Sequence, residues 1–310
     1  MPELRIGPVN AASPTPLDPS SELDVRSARR LCRRWLDVRL DGVLILGSMG
    51  EGPLLSEATR IHFVETALEI AGNALTVFVG AADQSFARMR ERAVAYAKMG
   101  APCVVICSPP AVTPVRAVAD IKRLADACPA PCAYHDVPAR TGVVLSLNEI
   151  LDILSHPNIV AFKDSSGSEV IAQGVTSPVL RPTGVRLLDG VEYRTAFSAA
   201  LGYDGVIHGG GVLTARCVRA IWDLAKANRF REAVELDREN SLFLATIYNR
   251  LSRPLQNTIG QKYALQLLGV FDSPHVAIDQ ALDAESCTRI EKAVSDRRDW
   301  LQPLQPARSG

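Results

Sequence analysis

Ile159-Val160-Ala161-Phe162-Lys163-Asp164-Ser165-Ser166-Gly167 is an apolar run that stops at a lysine and breaks at a glycine. A strand that is apolar at every position is covered on both faces, as in a parallel sheet, whereas a half-solvated strand alternates. The pattern recurs along the chain. Val43-Leu44-Ile45-Leu46 runs into Gly47, residues 75–80 and 103–107 are apolar, 132–135 is extended, and 185–188 and 205–208 close the series. Residues 58–70, 86–99, 115–127, 147–154 and 193–201 carry helical spacing between them. With residues 6–11 as the first strand, the chain holds about eight strand–helix units and no domain break. A doubly wound open sheet is the alternative, but the even recurrence favours closure. The predicted architecture is an α/β fold, a (β/α)8 TIM barrel with a C-terminal helical extension. The barrel is assigned to residues 1–212 and a helical region packed on it to 213–300, with helices at 214–228, 231–251 and 259–268; a frayed polar tail is assigned to 301–310.

A chain of 310 residues buries a large core without needing disulfides or metals. Its 34 basic residues balance 34 acidic ones, which argues against a nucleic-acid surface or a polybasic membrane patch. No apolar run approaches the ~18 residues of a membrane span, and the N-terminus lacks a secretory pattern. Seven cysteines, several in apolar runs such as Cys103-Val104-Val105-Ile106-Cys107, read as free buried thiols in a reducing compartment. The expectation is a cytoplasmic globular protein.

In such a barrel the chemistry sits where strands end. Three strand ends carry candidate residues: Gly47-Ser48-Met49-Gly50-Glu51, the stretch from Tyr134-His135-Asp136-Val137-Pro138 to Arg140-Thr141-Gly142, and Lys163-Asp164-Ser165-Ser166-Gly167. An amine at a poorly solvated barrel mouth loses proton affinity and can attack a carbonyl; the plainer reading of Lys163 is a structural ion pair with Asp136 or Asp164. His135 suits general acid–base work, and Tyr134 suits either a proton relay or a core aromatic with a bonded hydroxyl. The Ser48–Met49 turn offers backbone N–H groups to a small carboxylate, or is simply a tight turn. Arg140 offers a two-point contact to a carboxylate, or an internal pair. Gly209-Gly210-Gly211 lacks a nearby cation before Arg216 and reads as a turn rather than a phosphate site. The histidines form no H-x-x-x-H or H-E-x-x-H pattern, and no dinucleotide or P-loop template fits, so neither metal nor cofactor is expected.

The ordered set of these motifs resembles the dihydrodipicolinate synthase and N-acetylneuraminate lyase family of Schiff-base enzymes, from Pro14-Thr15-Pro16-Leu17 to Leu267-Leu268-Gly269. The family pattern G-[ST]-T-G-E appears with one change at Gly47–Glu51, K-D-S-S-G is intact at Lys163–Gly167, and G-x-x-G-x-I matches Gly202–Ile207. The resemblance implies that Lys163 forms an imine with a 2-oxo acid, typically pyruvate, and that the Ser48–Met49 turn receives its carboxylate. It further implies that Gly190 and Ile207 line the site and that Arg140 holds the carboxylate of an incoming aldehyde. A homotetramer is implied on the same ground.

Three stretches depart from the family. Gapless alignment on Val137-Pro138 puts His135 where the catalytic tyrosine belongs and Asp136 where asparagine belongs; a one-residue bulge would instead turn Tyr134 inward. Ser108-Pro109-Pro110-Ala111-Val112 has no phenol where the synthase branch has a tyrosine pair, and Met49 lacks the hydroxyl of the usual threonine. The leading expectation is a lyase joining pyruvate to, or releasing it from, a carboxylate-bearing aldehyde. The alternatives are an aldolase or dehydratase of a 2-oxo-3-deoxy sugar acid, a catalytically weak barrel that binds 2-oxo acids, and a metal-dependent barrel aldolase.

Overall fold

Eight parallel strands close into a barrel in chain order in the computed structural model, which describes residues 4–248, 255–278 and 280–302. They are β1 Val9–Ala12, β2 Gly42–Ile45, β3 Thr76–Gly80, β4 Cys103–Ile106, β5 Cys132–Asp136, β6 Ile159–Asp164, β7 Arg186–Asp189 and β8 Gly205–His208. Closure comes from β1 pairing with β8, Val9 beside Val206 and Ala11 beside His208. Ladder pairing begins later than residue 6 because Pro8 has no N–H to give; its carbonyl instead accepts from Val206 N at 2.8 Å. Ile6 is still buried, at the bottom of the barrel interior.

The continuous apolar runs are explained by two separate clusters. One side of each strand fills the barrel: Ala12, Leu44, Phe78, Cys103, Val105, Ala133, Ala161, Leu188 and Ile207. The other side, including Val43, Ile45, Val77, Val79, Val104, Ile106, Tyr134, Phe162 and Val206, meets the helices. Each fully buried large aliphatic or aromatic side chain contributes about 1.5–3 kcal/mol, which is why neither face tolerates a polar alternation.

The helices are α1 Val25–Asp37, α2 Glu57–Ala71, α3 Phe86–Lys98, α4 Pro114–Ala127, α5 Pro138–Thr141, α6 Leu147–Leu154, α7 Glu169–Thr176, α8 Thr195–Leu201, α9 Gly211–Lys226, α10 Phe230–Tyr248, α11 Gln256–Leu267, α12 Ala284–Asp296 and α13 Arg298–Leu301. Their starts are written in the sequence: Asp24, Ser56, Thr113, Ser168 and Asp283 cap N-termini, and Ser146 with Glu149 forms a reciprocal capping box. Helices α10 to α13 follow the eighth barrel unit. Leu301 is buried, and its carbonyl accepts from Arg34 Nη2 at 2.6 Å; the expected tail from residue 303 onward lies outside the described residues, as does the end of the helix expected to reach 251.

All seven cysteines are free, six of them buried. Among the described residues, no helix is long and apolar enough to cross a membrane.

Candidate active site

β5 and β6 run side by side with His135 beside Lys163, and Lys163 is flanked on its other side by Leu188 of β7. Alternation along each strand continues from the interior residues Ala133 and Ala161, so His135 and Lys163 share the barrel mouth. Tyr134 goes the other way. It stacks on Phe162 at 5.6 Å in the helix-facing layer, and its hydroxyl donates to Asp136 Oδ1 at 3.2 Å. The structure therefore brings His135, and not Tyr134, to Lys163. A register slip does occur here, between Cys132 and Ala133, but Val160 of β6 is the extra residue. It sets the phase of Lys163 rather than that of Tyr134.

Lys163 is 7% exposed and, among the described residues, has no hydrogen bond or ion pair. Asp136 and Asp164 do not pair with it. Both continue the outer alternation, where Asp164 accepts from Tyr203 Oη at 2.6 Å and from Ser166 Oγ at 2.6 Å. Burial lowers the Lys163 amine to about 8, partly offset by the charge of Glu192. Burial, with the Lys163 charge adding to it, holds His135 well below its usual range, so its ring is neutral. His135 Nε2 lies 3.1 Å from Ser165 Oγ, and which of the two donates depends on the tautomer.

Gly190, just past β7, is a glycine for steric reasons. A Cβ there would overlap Ser165 Oγ and stand 3.0 Å from Lys163 Cε. Ile207 lies in the barrel interior on β8. The Ser48–Met49 turn is held from outside: Thr15 Oγ1 donates to the Gly50 carbonyl at 2.7 Å, and Gly52 N donates to Gly47 O at 3.1 Å. Glu51 takes a left-handed φ of 57°. Its fully buried carboxylate meets the equally buried Lys262 of α11 at 2.5 Å and accepts from Ala277 N at 2.6 Å. Among the described residues, the backbone N–H groups of Ser48 and Met49 have no partner, which leaves them available to an anion. Arg140, in the short α5, is exposed and has no ion pair among the described residues.

Three residues reach this region that the motifs did not single out. Glu192, three positions past β7, accepts from Tyr248 Oη of α10 at 2.7 Å and from the Gly210 amide. A Cβ on Gly209 would stand 2.6 Å from Met49 Cε, 3.1 Å from Tyr248 Oη and 3.5 Å from Glu192 Oε2. Glu192 thus shares the mouth with the Met49 turn. His208, at the end of β8, is pushed down to about 3 by burial, with the charges of Lys163 and Arg194 adding to it. Glu192 and His208 lie at strand ends and satisfy the positional rule that selected Lys163; Tyr248 comes from a distant helix and carries no such signal. Among the described residues, no group of three or more His, Cys, Asp or Glu side chains is arranged to hold a metal ion.

A closed parallel barrel with a desolvated, unpaired lysine at one strand end is the framework of class I, imine-forming lyases. The dihydrodipicolinate synthetase family model matches residues 6–284, and the chain belongs to that family, whose members are lyases of the class I aldolase type. The 4-hydroxy-tetrahydrodipicolinate synthase of Mycolicibacterium gilvum is 30% identical over 243 residues, 74% of this chain and 78% of that protein. Dihydrodipicolinate synthase from Bacteroides thetaiotaomicron superposes with a TM-score of 0.85 at 27% identity, covering 94% of this chain and all of that one. The fold is shared equally with CdNal from Clostridium difficile, solved in complex with mannosamine, at a TM-score of 0.86 and 16% identity over 94% of this chain and 99% of that one.

Proposed function

We propose that this lyase joins pyruvate to a carboxylate-bearing aldehyde, or releases pyruvate from the corresponding adduct, through an imine on Lys163. The observation that carries the reading is the buried, unpaired Lys163 amine beside His135. With its proton affinity lowered to about 8, a useful fraction of the amine is free near neutral pH. The 2-oxo acid carboxylate sits on the Ser48 and Met49 amides, and its carbonyl carbon faces Nζ across the small Gly190 wall, beside Ile207. His135, neutral and partnered by Ser165, handles the proton at the substrate carbon; Tyr134, bonded to Asp136 on the far side of the strand, does not. Arg140 is the cation that meets the aldehyde's carboxylate, and no cofactor enters the scheme.

The test is borohydride reduction in the presence of pyruvate followed by peptide mass spectrometry. A reduced pyruvate adduct on Lys163 is expected; its absence, where a control aldolase is labelled, overturns the assignment.

A second reading, an aldolase or dehydratase of a 2-oxo-3-deoxy sugar acid, is favoured by the imidazole in place of the usual phenol and by the phenol-free loop 108–112. Release of pyruvate from such sugar acids, faster than condensation with any carboxylate-bearing aldehyde, decides for it. The homotetramer belongs to the same proposal and is checked by light scattering.

A further inference from the structure

Imine formation needs two proton movements that the Lys163 reading leaves unassigned. The resting ammonium must lose a proton before it attacks, and the carbinolamine hydroxyl must gain one before it leaves as water. His135 is poorly placed for the first, since its ring nitrogen already meets Ser165 and it faces the lysine's own charge. Among the described residues two other acid–base groups stand near Lys163: His208, which burial pushes down to about 3 and so leaves a poor base, and Glu192. Glu192 is fixed from two sides, by Tyr248 of α10 and by the Gly210 amide at the start of α9. It lies beyond direct ion-pair distance of Lys163, yet close enough for each to feel the other's charge. With no direct contact between them, a proton exchanged by the two groups passes through an oxygen, a water or the carbinolamine hydroxyl.

We infer that Glu192 is the acid–base residue of imine formation and that Tyr248, lent by the helical extension, is its positioning residue. Glu192 carboxylate takes the proton from the Lys163 ammonium through the intervening oxygen, giving free amine and carboxylic acid. Nζ then bonds to the carbonyl carbon, and proton transfer from nitrogen to oxygen gives the neutral carbinolamine. The C–O bond breaks as the Glu192 acid protonates the hydroxyl, leaving iminium, carboxylate and one water, so atoms and charge balance. This inference rests on Lys163 being the imine-forming residue.

Burial raises the proton affinity of Glu192 above the usual carboxylate range, while the Tyr248 hydroxyl, the Gly210 amide and the Lys163 charge pull it back. Among the described residues, the other titratable groups around this cluster include His135 on β5, His208 on β8, and Tyr193 and Arg194 on the loop after β7. The two histidines are held neutral, so Glu192 alone among these groups is suited to set the acid limb.

The experiment is the rate of imine formation with pyruvate, read by time-resolved borohydride trapping across pH. Glu192→Gln should slow trapping about 100-fold while the adduct still forms on Lys163, and Glu192→Asp should recover part of that loss. Tyr248→Phe keeps the packing and removes one donor to the carboxylate. Its acid limb should move to higher pH, whereas a purely structural tyrosine would lower the rate equally at every pH. Trapping by Glu192→Gln at the wild-type rate, or an unmoved limb in Tyr248→Phe, overturns the inference and leaves the Lys163 reading intact. No adduct in the unaltered protein overturns the Lys163 reading itself.

Discussion

Replacing Lys163 with methionine should abolish imine formation and make the protein more stable. The lysine is 7% exposed and has no ion pair among the described residues, so the folded state bears a cost for holding a charge away from water that the Glu192 charge offsets only in part. The fall from an ordinary 10.5 to about 8 measures that cost. At ~1.36 kcal/mol for each tenfold change it amounts to about 3 kcal/mol. The sign follows from proton binding. Below pH 8 the group is charged in both folded and unfolded chains, and the penalty is complete. Between about 8 and 10.5 the folded chain sheds its proton while the unfolded chain keeps it, so stability rises with pH. Above 10.5 both are neutral and the penalty is gone. Methionine fills a similar volume without charge. Urea denaturation of the two proteins should show Lys163→Met more stable by about 3 kcal/mol at pH 7, with the gap closing between pH 8 and 10.5. Equal stabilities at pH 7, or a gap that does not change with pH, would refute the claim that Lys163 is desolvated.

Gly190→Ala should cost about 1–3 kcal/mol of stability from overpacking. By turning Ser165 away from His135 and shifting Lys163, it should also lower kcat about 100-fold, read from steady-state kinetics and melting curves. Lys262→Met strands a fully buried Glu51 carboxylate and should destabilise by about 3–5 kcal/mol; adding Glu51→Gln should restore most of that in a denaturation-based double-mutant cycle. Arg140→Ala should raise KM for the aldehyde at least about 10-fold with little change in kcat. A rise in the pyruvate KM instead would put Arg140 on the wrong substrate.

The barrel was legible because burial on both faces leaves its strands mostly apolar, and runs such as Val43–Leu46 or Cys103–Cys107 say so without a structure. Boundaries were less so. Pro8 withholds the N–H that would have begun the first strand at residue 6, and this start is set by pairing with β8 rather than by hydropathy. The phase of β6 depends on the slip at Val160, a residue that looks like any other strand valine. Without it, Lys163 would face the helices. Strand-end position was the signal for Lys163 and His135, and it was equally available for Glu192. Tyr248 was not recoverable from sequence, because its link to Glu192 spans 56 positions and depends on how α10 packs.

The departures from the family's pattern bear on chemistry more than on shape. Ala111 holds a left-handed φ of 57° that costs an ordinary residue about 1–2 kcal/mol, and its amide donates to Thr141 O at 2.9 Å. The loop between β4 and α4 is therefore tied by its backbone to the turn that carries Arg140, whatever side chain stands at 111. A phenol can be absent there without the scaffold moving. With that phenol gone, the proton transfers of imine formation are assigned to a group that burial has brought nearer neutrality. Glu192 meets that description, since its proton affinity is raised and its geometry is fixed by two donors. The same reasoning counts against Tyr134: burial and the adjacent Asp136 carboxylate drive its hydroxyl well above its ordinary range, and its ring stacks on Phe162. A barrel of this kind keeps its nucleophile because the strand dictates where the amine goes, and it can change its acid–base groups because several strand ends point into one mouth.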